Sequence, residues 1–503
     1  MLSFLIALAI CCLVFYVYHN LWLQPEKIRK RLLMQGINGP KPSFFYGNLL
    51  EMKRIDSSKK VKNEDKCISH EFKLHPSLNF WKNEYGPTFM FLKGNRITVY
   101  VSAPEILKEI TLCTSLAFGR STAWIKQRTC LLGDSVATLN GQAWAHHRKI
   151  IAPEFFMEKV KGMMDLMVDS TLSLLRSWEV RVETAGGFAD IKVDEDLRNL
   201  TADVISRACF GSSYLKGKDL FSKIKALQTA LVMQATWINL PGYRYIPNKK
   251  NREVWRMDRE IQQSIMKVIN ERKVAGNIEN DLLSTLIDAN DLNGSKASEK
   301  FVAESCKTTY FAGHESSSIT LKWVLLLLAL NPEWQARVRA EITAVCRQHI
   351  PEANALRQMK LLTMVIQETM RLYSITPLIL RETLQEDIKF GDIWFPGGVE
   401  LMIPVAALHH DPDIWGPDAG EFNPERFANG ASKACKFPYL YMPFGFGPRV
   451  CLGLNFAIAE LKVILSLMLG KFSFTLSPNY RHSVVYGIVS EPEFGVDLIV
   501  RKV

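Results

Sequence analysis

The sequence predicts a mainly α protein: one large helical domain with a smaller β-rich part, carried behind an N-terminal transmembrane helix. Three observations predict this. Met1 to Tyr18, MLSFLIALAICCLVFYVY, contains no charged side chain. Most of 104–375 mixes charge with apolar positions recurring at helical spacing, as in LRSWEVRVET and VWRMDREIQQSIMKVINERK. Strand-like runs are short and confined to 88–101, 387–403 and the chain after 470.

Taken in order, the first element is an anchor over 1–24. The apolar run approaches the roughly 20 residues that cross a bilayer, and Leu21, Trp22 and Leu23 extend it to an interfacial tryptophan. Lys27, Arg29, Lys30 and Arg31 follow the run instead of preceding it, and the exit YHNLWLQPE lacks the small residues of a cleavage site. An uncleaved single-pass helix is expected, with the positive flank and the body on the cytosolic side. A basic, proline-rich connector follows over 25–48, because GINGPKPSFFYGN cannot continue a helix. The domain proper spans 49–503. Within it SSKKVKNEDK (57–66) reads as a solvated segment, and TFMFLKGNRITVYV (88–101) as two strands around a Lys-Gly-Asn turn. The longest helical candidate is Phe301 to Leu330. Its apolar WVLLLLAL run is too short for a second span.

Composition narrows the function classes. The chain is 48% hydrophobic and 22% charged, enough for a large core. A net charge of +11 favours an anionic membrane surface or an acidic protein partner. Finger spacing, aromatic-interleaved basic sheets and long basic runs are all missing, which argues against nucleic acid. Ten scattered cysteines contain no C-x-x-C pair, so the body needs no disulfide framework and reads as residing in a reducing compartment.

Four stretches carry candidate chemistry, each with a plain alternative. PFGFGPRVCLG (443–453) sets Cys451 among glycines; it is either a tight turn holding a small buried thiol or a loop built to bring backbone close to a ligand. FAGHESSSIT (311–320) puts Gly313, Glu315 and Ser316 inside an apolar helix. This is either a cap or kink, or a groove cut by Ala312 and Gly313 with an acid and an alcohol beside it to relay protons. ETMRLY spaces Glu368 and Arg371 on one helix face, either as a surface ion pair worth little or, with Arg426 of NPERF as a third member, as a buried structural triad. WAHHR spaces Trp144 and Arg148 likewise, and a packed surface helix explains that pair as well. The neighbouring His146 and His147 point apart on a helix, so they do not suggest a metal site.

In order and spacing these stretches together resemble a cytochrome P-450, a haem-thiolate monooxygenase. They run Trp-x-x-x-Arg, Ala-Gly-x-Glu, Glu-x-x-Arg, Pro-Glu-Arg-Phe and Phe444-x-x-Gly447-x-Arg449-x-Cys451-x-Gly453, and cover nearly the whole chain. The resemblance implies haem b, with Cys451 as the iron ligand and Phe444 packed near its sulfur. A thiolate ligand pushes electron density toward iron and favours O–O cleavage. Trp144, Arg148, Arg449 and Arg381 would bind the haem propionates. Glu315 and Ser316 would deliver protons to dioxygen, serine standing at a position where threonine is commoner. No flavin or nicotinamide motif occurs, so an NADPH-cytochrome reductase in the endoplasmic reticulum membrane would supply electrons, docking on a basic face that includes Arg449 and Lys436.

LWLQPEKIRKRLLMQGINGPKPSFFYGN and the GHES helix further resemble the plant clan of brassinosteroid inactivators, cytokinin hydroxylases and gibberellin oxidases, most of all the gibberellin-oxidase family. That implies hydroxylation or epoxidation of a carboxylated terpenoid, with triterpenoid acids and other plant hormones as alternative substrates. Pocket residues would come from 115–135, around 211–245, Tyr310 and Phe311, Thr376 to Leu380, and Tyr486 to Val489. Arg120, Lys126 or Arg128 would either meet a substrate carboxylate or be solvated. A reductase-independent isomerase or dehydratase, and a haem sensor without turnover, are the other readings. The acid–alcohol pair speaks against both.

Overall fold

The computed structural model describes residues 2–60, 76–211, 214–234, 245–275, 281–291, 297–346, 350–487 and 489–503. The chain divides into two compact units. The first comprises 1–122, 377–420 and 439–449, and the second 123–376, 421–438 and 450–503.

The first unit contains the β-rich part. The apolar helix Leu2–Tyr18 passes through a single π-turn, His19–Leu23, into Gln24–Leu33. It is the one helix among the described residues long and apolar enough to cross a membrane, and its apolar window is unburied. Thr88–Lys93 and Arg96–Val101 form the expected hairpin, at the edge of a five-stranded sheet. Glu400–Ile403 pairs parallel to the second of these, then Ile379–Thr383 and Phe118–Arg120 follow antiparallel. β-Branched and aromatic residues fill this sheet because they pack well on a pleated surface. Trp81, Phe89, Phe91, Tyr100 and Met402 make its core, with the Phe89 and Tyr100 rings stacked at 4.7 Å. The connector lies along the sheet edge: the Met90 N–H donates to the Asn38 carbonyl and the Leu92 N–H to Asn48 Oδ1, each at 2.9 Å. Of the segment expected to be solvated, 57–60 belong to the helix Leu49–Lys60, and 61–66 lie outside the described residues.

The second unit is helical and centred on Ala297–Leu330. Asp194–Phe210 crosses this helix at Gly313, where a Cβ would stand 2.5 Å from Ile205 Cγ1. The glycine therefore exists for helix packing. The groove expected at Ala312 and Gly313 is filled on its Gly313 side by Ile205, while Ala312 remains exposed. The helical reading of 104–375 also missed two strands, Phe118–Arg120 in the first unit and Phe188–Lys192 in the second. Phe188–Lys192 is a strand because it pairs with Asp497–Lys502, which pairs in turn with Phe472–Leu476. That partner lies some three hundred residues away, beyond the reach of local periodicity.

Candidate active site

Cys451 sits in the loop that leads into the helix Leu454–Lys471, whose N-cap is Gly453. Its side chain is open on one side yet densely surrounded by protein. Burial pushes the thiol pKa up, and the Gly453 N–H and the Arg148 charge pull it back. A thiolate here has a donor, a cation and a helix N-terminus to stabilise it. Arg148 is held in place by its own bond, Nη1 donating to the Val450 carbonyl at 3.0 Å. One turn earlier on the helix Gly141–Ile151, Trp144 is buried, its ring 5.8 Å from the Arg148 guanidinium. Trp144, Arg148 and Cys451 thus form one constellation in the second unit. Gly445 and Gly447 adopt left-handed backbone (φ +77° and +61°), so conformation itself demands them. At Gly453, its chain neighbours aside, no protein atom approaches within 4 Å of a would-be Cβ.

The first unit holds a cluster of cations. Arg120 and Arg381 face one another across antiparallel strands. Arg381 is buried, and burial, Arg120 and Arg449 together drive its pKa well down. Burial pushes Arg120 down to about 10. The charges acting on Arg381 are those of two more arginines, with no carboxylate among them. Like charges directly opposite in a sheet destabilise it, so this arrangement suits a ligand bearing carboxylates, which guanidinium groups bind in bidentate fashion. The Arg381 guanidinium lies 5.1 Å from the Phe446 ring, while Phe444 is half-buried. Arg120, expected in solvent or against substrate, instead joins this cluster through strand pairing. Lys126 is exposed, and Arg128 stacks on Trp124 at 4.7 Å. In the second unit, Cys451 with the Gly453 N–H and Arg148 acting on it suits a ligand of iron; in the first, the cluster of Arg120, Arg381 and Arg449 suits carboxylates such as propionates.

On the long helix, Glu315 and Ser316 have separate partners. Glu315 is buried and accepts from Lys225 Nζ at 2.6 Å, with Arg198 Nε at 3.5 Å and His314 Nε2 at 3.3 Å. Burial opposes its ionisation, but His314, Lys225 and Arg198 outweigh it and hold the carboxyl below the usual carboxylate range. Glu491 lies 3.5 Å from Lys225 and 3.9 Å from Arg198, completing a network of alternating charge. Ser316 Oγ donates to the Ala312 carbonyl at 2.8 Å, one turn back. Nothing in the sequence pointed to Lys225 or Arg198, which come from other helices.

Glu368, Arg371 and Arg426 form a buried triad. Arg371 Nε and Nη2 donate to the two Glu368 oxygens at 2.7 and 2.8 Å, and Arg426 Nε lies 3.4 Å from Oε1. The Asn423 N–H and the Glu421 carbonyl complete the set at 2.9 and 3.0 Å. Of the expected pocket residues, Tyr310 stacks on Phe210 at 4.1 Å and meets Phe221 edge-on, which places its ring in the helical core. Residues 212–213, 235–244 and 488 of that pocket lie outside the described residues.

Comparison with known proteins identifies the family. The family model described as Cytochrome P450 matches residues 39–486. The chain is 45% identical to cytochrome P450 714C2 of Oryza sativa subsp. japonica over 100% of this chain and 98% of that one. It is 43% identical to cytochrome P450 714B3 of Zea mays, with 99% and 96% covered. Against cytochrome P450 714A2 of Arabidopsis thaliana it is 42% identical, with 96% and 94% covered. A family match over most of the chain and full-length relatives at this identity lead to one conclusion: the chain belongs to the cytochrome P450 family and is a haem-thiolate monooxygenase.

Proposed function

We propose that this monooxygenase inserts one oxygen atom from dioxygen into a carboxylated terpenoid of the gibberellin class, by hydroxylation or epoxidation. The observation that carries the proposal is likeness over the whole chain, at 42% identity or more, to cytochromes P450 714 from three plants. The resemblance of its connector and GHES helix to gibberellin oxidases supports the same substrate class. Haem b, fed with NADPH electrons by a membrane-bound reductase, supplies the activation of dioxygen.

The residues divide the remaining work. Cys451 ligates the iron, its charge steadied by the Gly453 N–H and Arg148. Trp144, Arg148, Arg381 and Arg449 hold the propionates, with Arg120 reinforcing Arg381 from the neighbouring strand. Phe444 shields the sulfur. Glu315, kept ionised by Lys225 and Arg198, accepts protons at its carboxylate, and the Ser316 hydroxyl passes them onward once it leaves the Ala312 carbonyl. Residues 1–24 anchor the enzyme in the endoplasmic reticulum membrane, 25–48 connect, and 49–503 form the cytosolic catalytic domain.

The test has two stages. The reduced protein with carbon monoxide should show the strongly red-shifted Soret band of a thiolate ligand, and Cys451→Ser should abolish it; persistence of the band would refute the ligand. Gibberellins and triterpenoid acids are then screened by binding spectra and by product analysis with NADPH and reductase. Turnover of triterpenoid acids alone would replace the gibberellin reading, and loss of turnover without reductase would exclude an isomerase.

A further inference from the structure

We infer that Lys307 is a positioning residue for the substrate pocket: its buried ammonium latches the end of the helix Thr122–Leu132 to the long helix and to the helix Lys249–Ala275, and so fixes that wall of the pocket. The inference rests on the reading of 115–135 as pocket wall.

The helix Thr122–Leu132 has little packing to hold it. Only its last two residues, Leu131 and Leu132, are buried. From Thr122 to Cys130 every side chain is at least partly exposed, so the buried stripe that normally seats a helix is missing. An 11-residue helix is marginal without such packing. Its last carbonyls also lack partners within the helix itself. Gly133, at φ +63°, meets one of them, its N–H donating to the Thr129 carbonyl at 2.8 Å.

Other partners come from the long helix Ala297–Leu330. Lys307 Nζ donates to the Cys130 carbonyl, and Thr308 Oγ1 to the Leu132 carbonyl. Thr308 Oγ1 also lies 2.8 Å from Ser135 Oγ. The Asp134 N–H donates to Glu304 Oε2 at 2.8 Å, and Lys300 Nζ to Asp134 Oδ2 at 2.7 Å. A Cβ at Gly133 would stand 2.6 Å from Glu304 Cβ, so the backbone lies directly against the long helix. Lys300, Glu304, Lys307 and Thr308 follow one another at helical spacing and share one face.

Lys307 differs from the rest of that face in being a fully buried cation, 1% exposed. Lysine is almost never buried so far unless it is paired. Its anion is Asp258, on the helix Lys249–Ala275. One ammonium thus joins three elements: it projects from the first, meets a carboxylate of the second and caps the third, where a cation also faces the negative end of the helix dipole. Because this hold is polar, the loss of one charge releases it. Without Asp258 the ammonium is a stranded buried charge, driven toward solvent and away from the Cys130 carbonyl. The helix so held carries Trp124 and Arg128, whose guanidinium stacks on the indole at 4.7 Å. Their place in the pocket is set through Lys307 and Asp258.

The test uses the full-length holoenzyme in nanodiscs, as Lys307→Met, Asp258→Asn and the double variant, which strands no charge should a single one fail to fold. The carbon monoxide band reports folding. Hydrogen exchange is read by mass spectrometry in peptides covering 123–134 and, as a control, 164–184. Difference spectra follow the release of clotrimazole, a bulky azole, and the binding of imidazole, which needs no enclosing wall. Each variant should exchange several-fold faster over 123–134 with the control unchanged. Each should also release clotrimazole several-fold faster at unchanged imidazole affinity. Asp258→Asn decides most, because position 258 lies on a different helix from the peptide that loosens. Exchange over 123–134 at the parent's rate would overturn the latch and leave the pocket-wall reading standing. Faster exchange without faster release would overturn the positioning role. Faster exchange in the control as well, or loss of the carbon monoxide band in all three variants, would reduce Lys307 to an ordinary structural ion pair. In the parent, clotrimazole should slow exchange over 123–134; if it does not, the pocket-wall reading fails and this inference with it.

Discussion

Arg371 and Arg381 are both buried guanidinium groups, ten residues apart in sequence, yet their charges are met in opposite ways. In the second unit Arg371 is clamped by both oxygens of Glu368, with Arg426 sharing the acid. In the first unit Arg381 faces Arg120 across the sheet and feels Arg449, and among the described residues the charges that shift it are these two cations. A buried charge without an opposite is expensive. The difference separates a charge met by a carboxylate of the chain from one set among other guanidinium groups. The triad is the part proposed to hold the fold, and the cluster the part proposed to meet haem carboxylates.

Each arm of that comparison can be broken. The largest effect is expected from Glu368→Gln, which strands two buried cations: a loss of about 3–5 kcal/mol in denaturant unfolding, enough to abolish folded protein in expression. A stable Glu368→Gln protein would show that the triad is not structural. Arg381→Gln removes one of several like charges, so the haem-free protein should lose less than about 1 kcal/mol. Haem transfer to a scavenger should meanwhile accelerate about tenfold, equivalent to about 1.4 kcal/mol of retention. Equal damage to folding and to haem retention would erase the distinction between the two sites.

Glu460 sharpens the comparison from the acidic side. It is buried on the helix Leu454–Lys471, and neither oxygen makes a well-formed hydrogen bond among the described residues, although the Ser317 hydroxyl is near enough to act on it. Burial pushes its pKa up to about 8, with Ser317 drawing it slightly back. The unfolded chain releases this proton near the ordinary glutamate value of about 4.3. Because the folded state holds the proton more tightly, the stabilising effect is complete below that value and is lost as pH rises through about 8. Glu460→Gln should flatten this decline and raise stability at pH 9 by about 1–3 kcal/mol, read from unfolding at several pH values. Parallel pH profiles for variant and parent would disprove a protonated Glu460. The smallest effect is expected at Ser316→Thr. Threonine can keep the bond to the Ala312 carbonyl while a methyl stiffens the rotamer, so peroxide release per NADPH consumed should fall modestly. Unchanged coupling would leave the missing methyl without a role.

Much of the site was legible because its signals are local. Trp144 and Arg148 share a helix face whatever surrounds them, Glu368 and Arg371 likewise, and Cys451 precedes a helix that Gly453 opens. Gly313 stayed open for the opposite reason: whether a missing Cβ makes a ligand groove or a helix crossing depends on Ile205, a residue on another element. Lys225 and Arg198 were invisible as partners of Glu315, and Tyr310 as a core ring, for the same cause. The strand Phe188–Lys192 escaped a periodicity reading because its pairing partner is the end of the chain.

What the sequence determined by itself was the N-terminal apolar helix, the helical body and the family, since each rests on periodicity or on residues within one turn or loop. Tertiary structure decided the rest. It set Arg120 opposite Arg381, enclosed Glu315 in cations from two other helices, and seated Lys307 between Asp258 and the Cys130 carbonyl. These are encounters between distant segments, and their energies depend on burial and on neighbouring charge, neither of which a linear order of residues encodes.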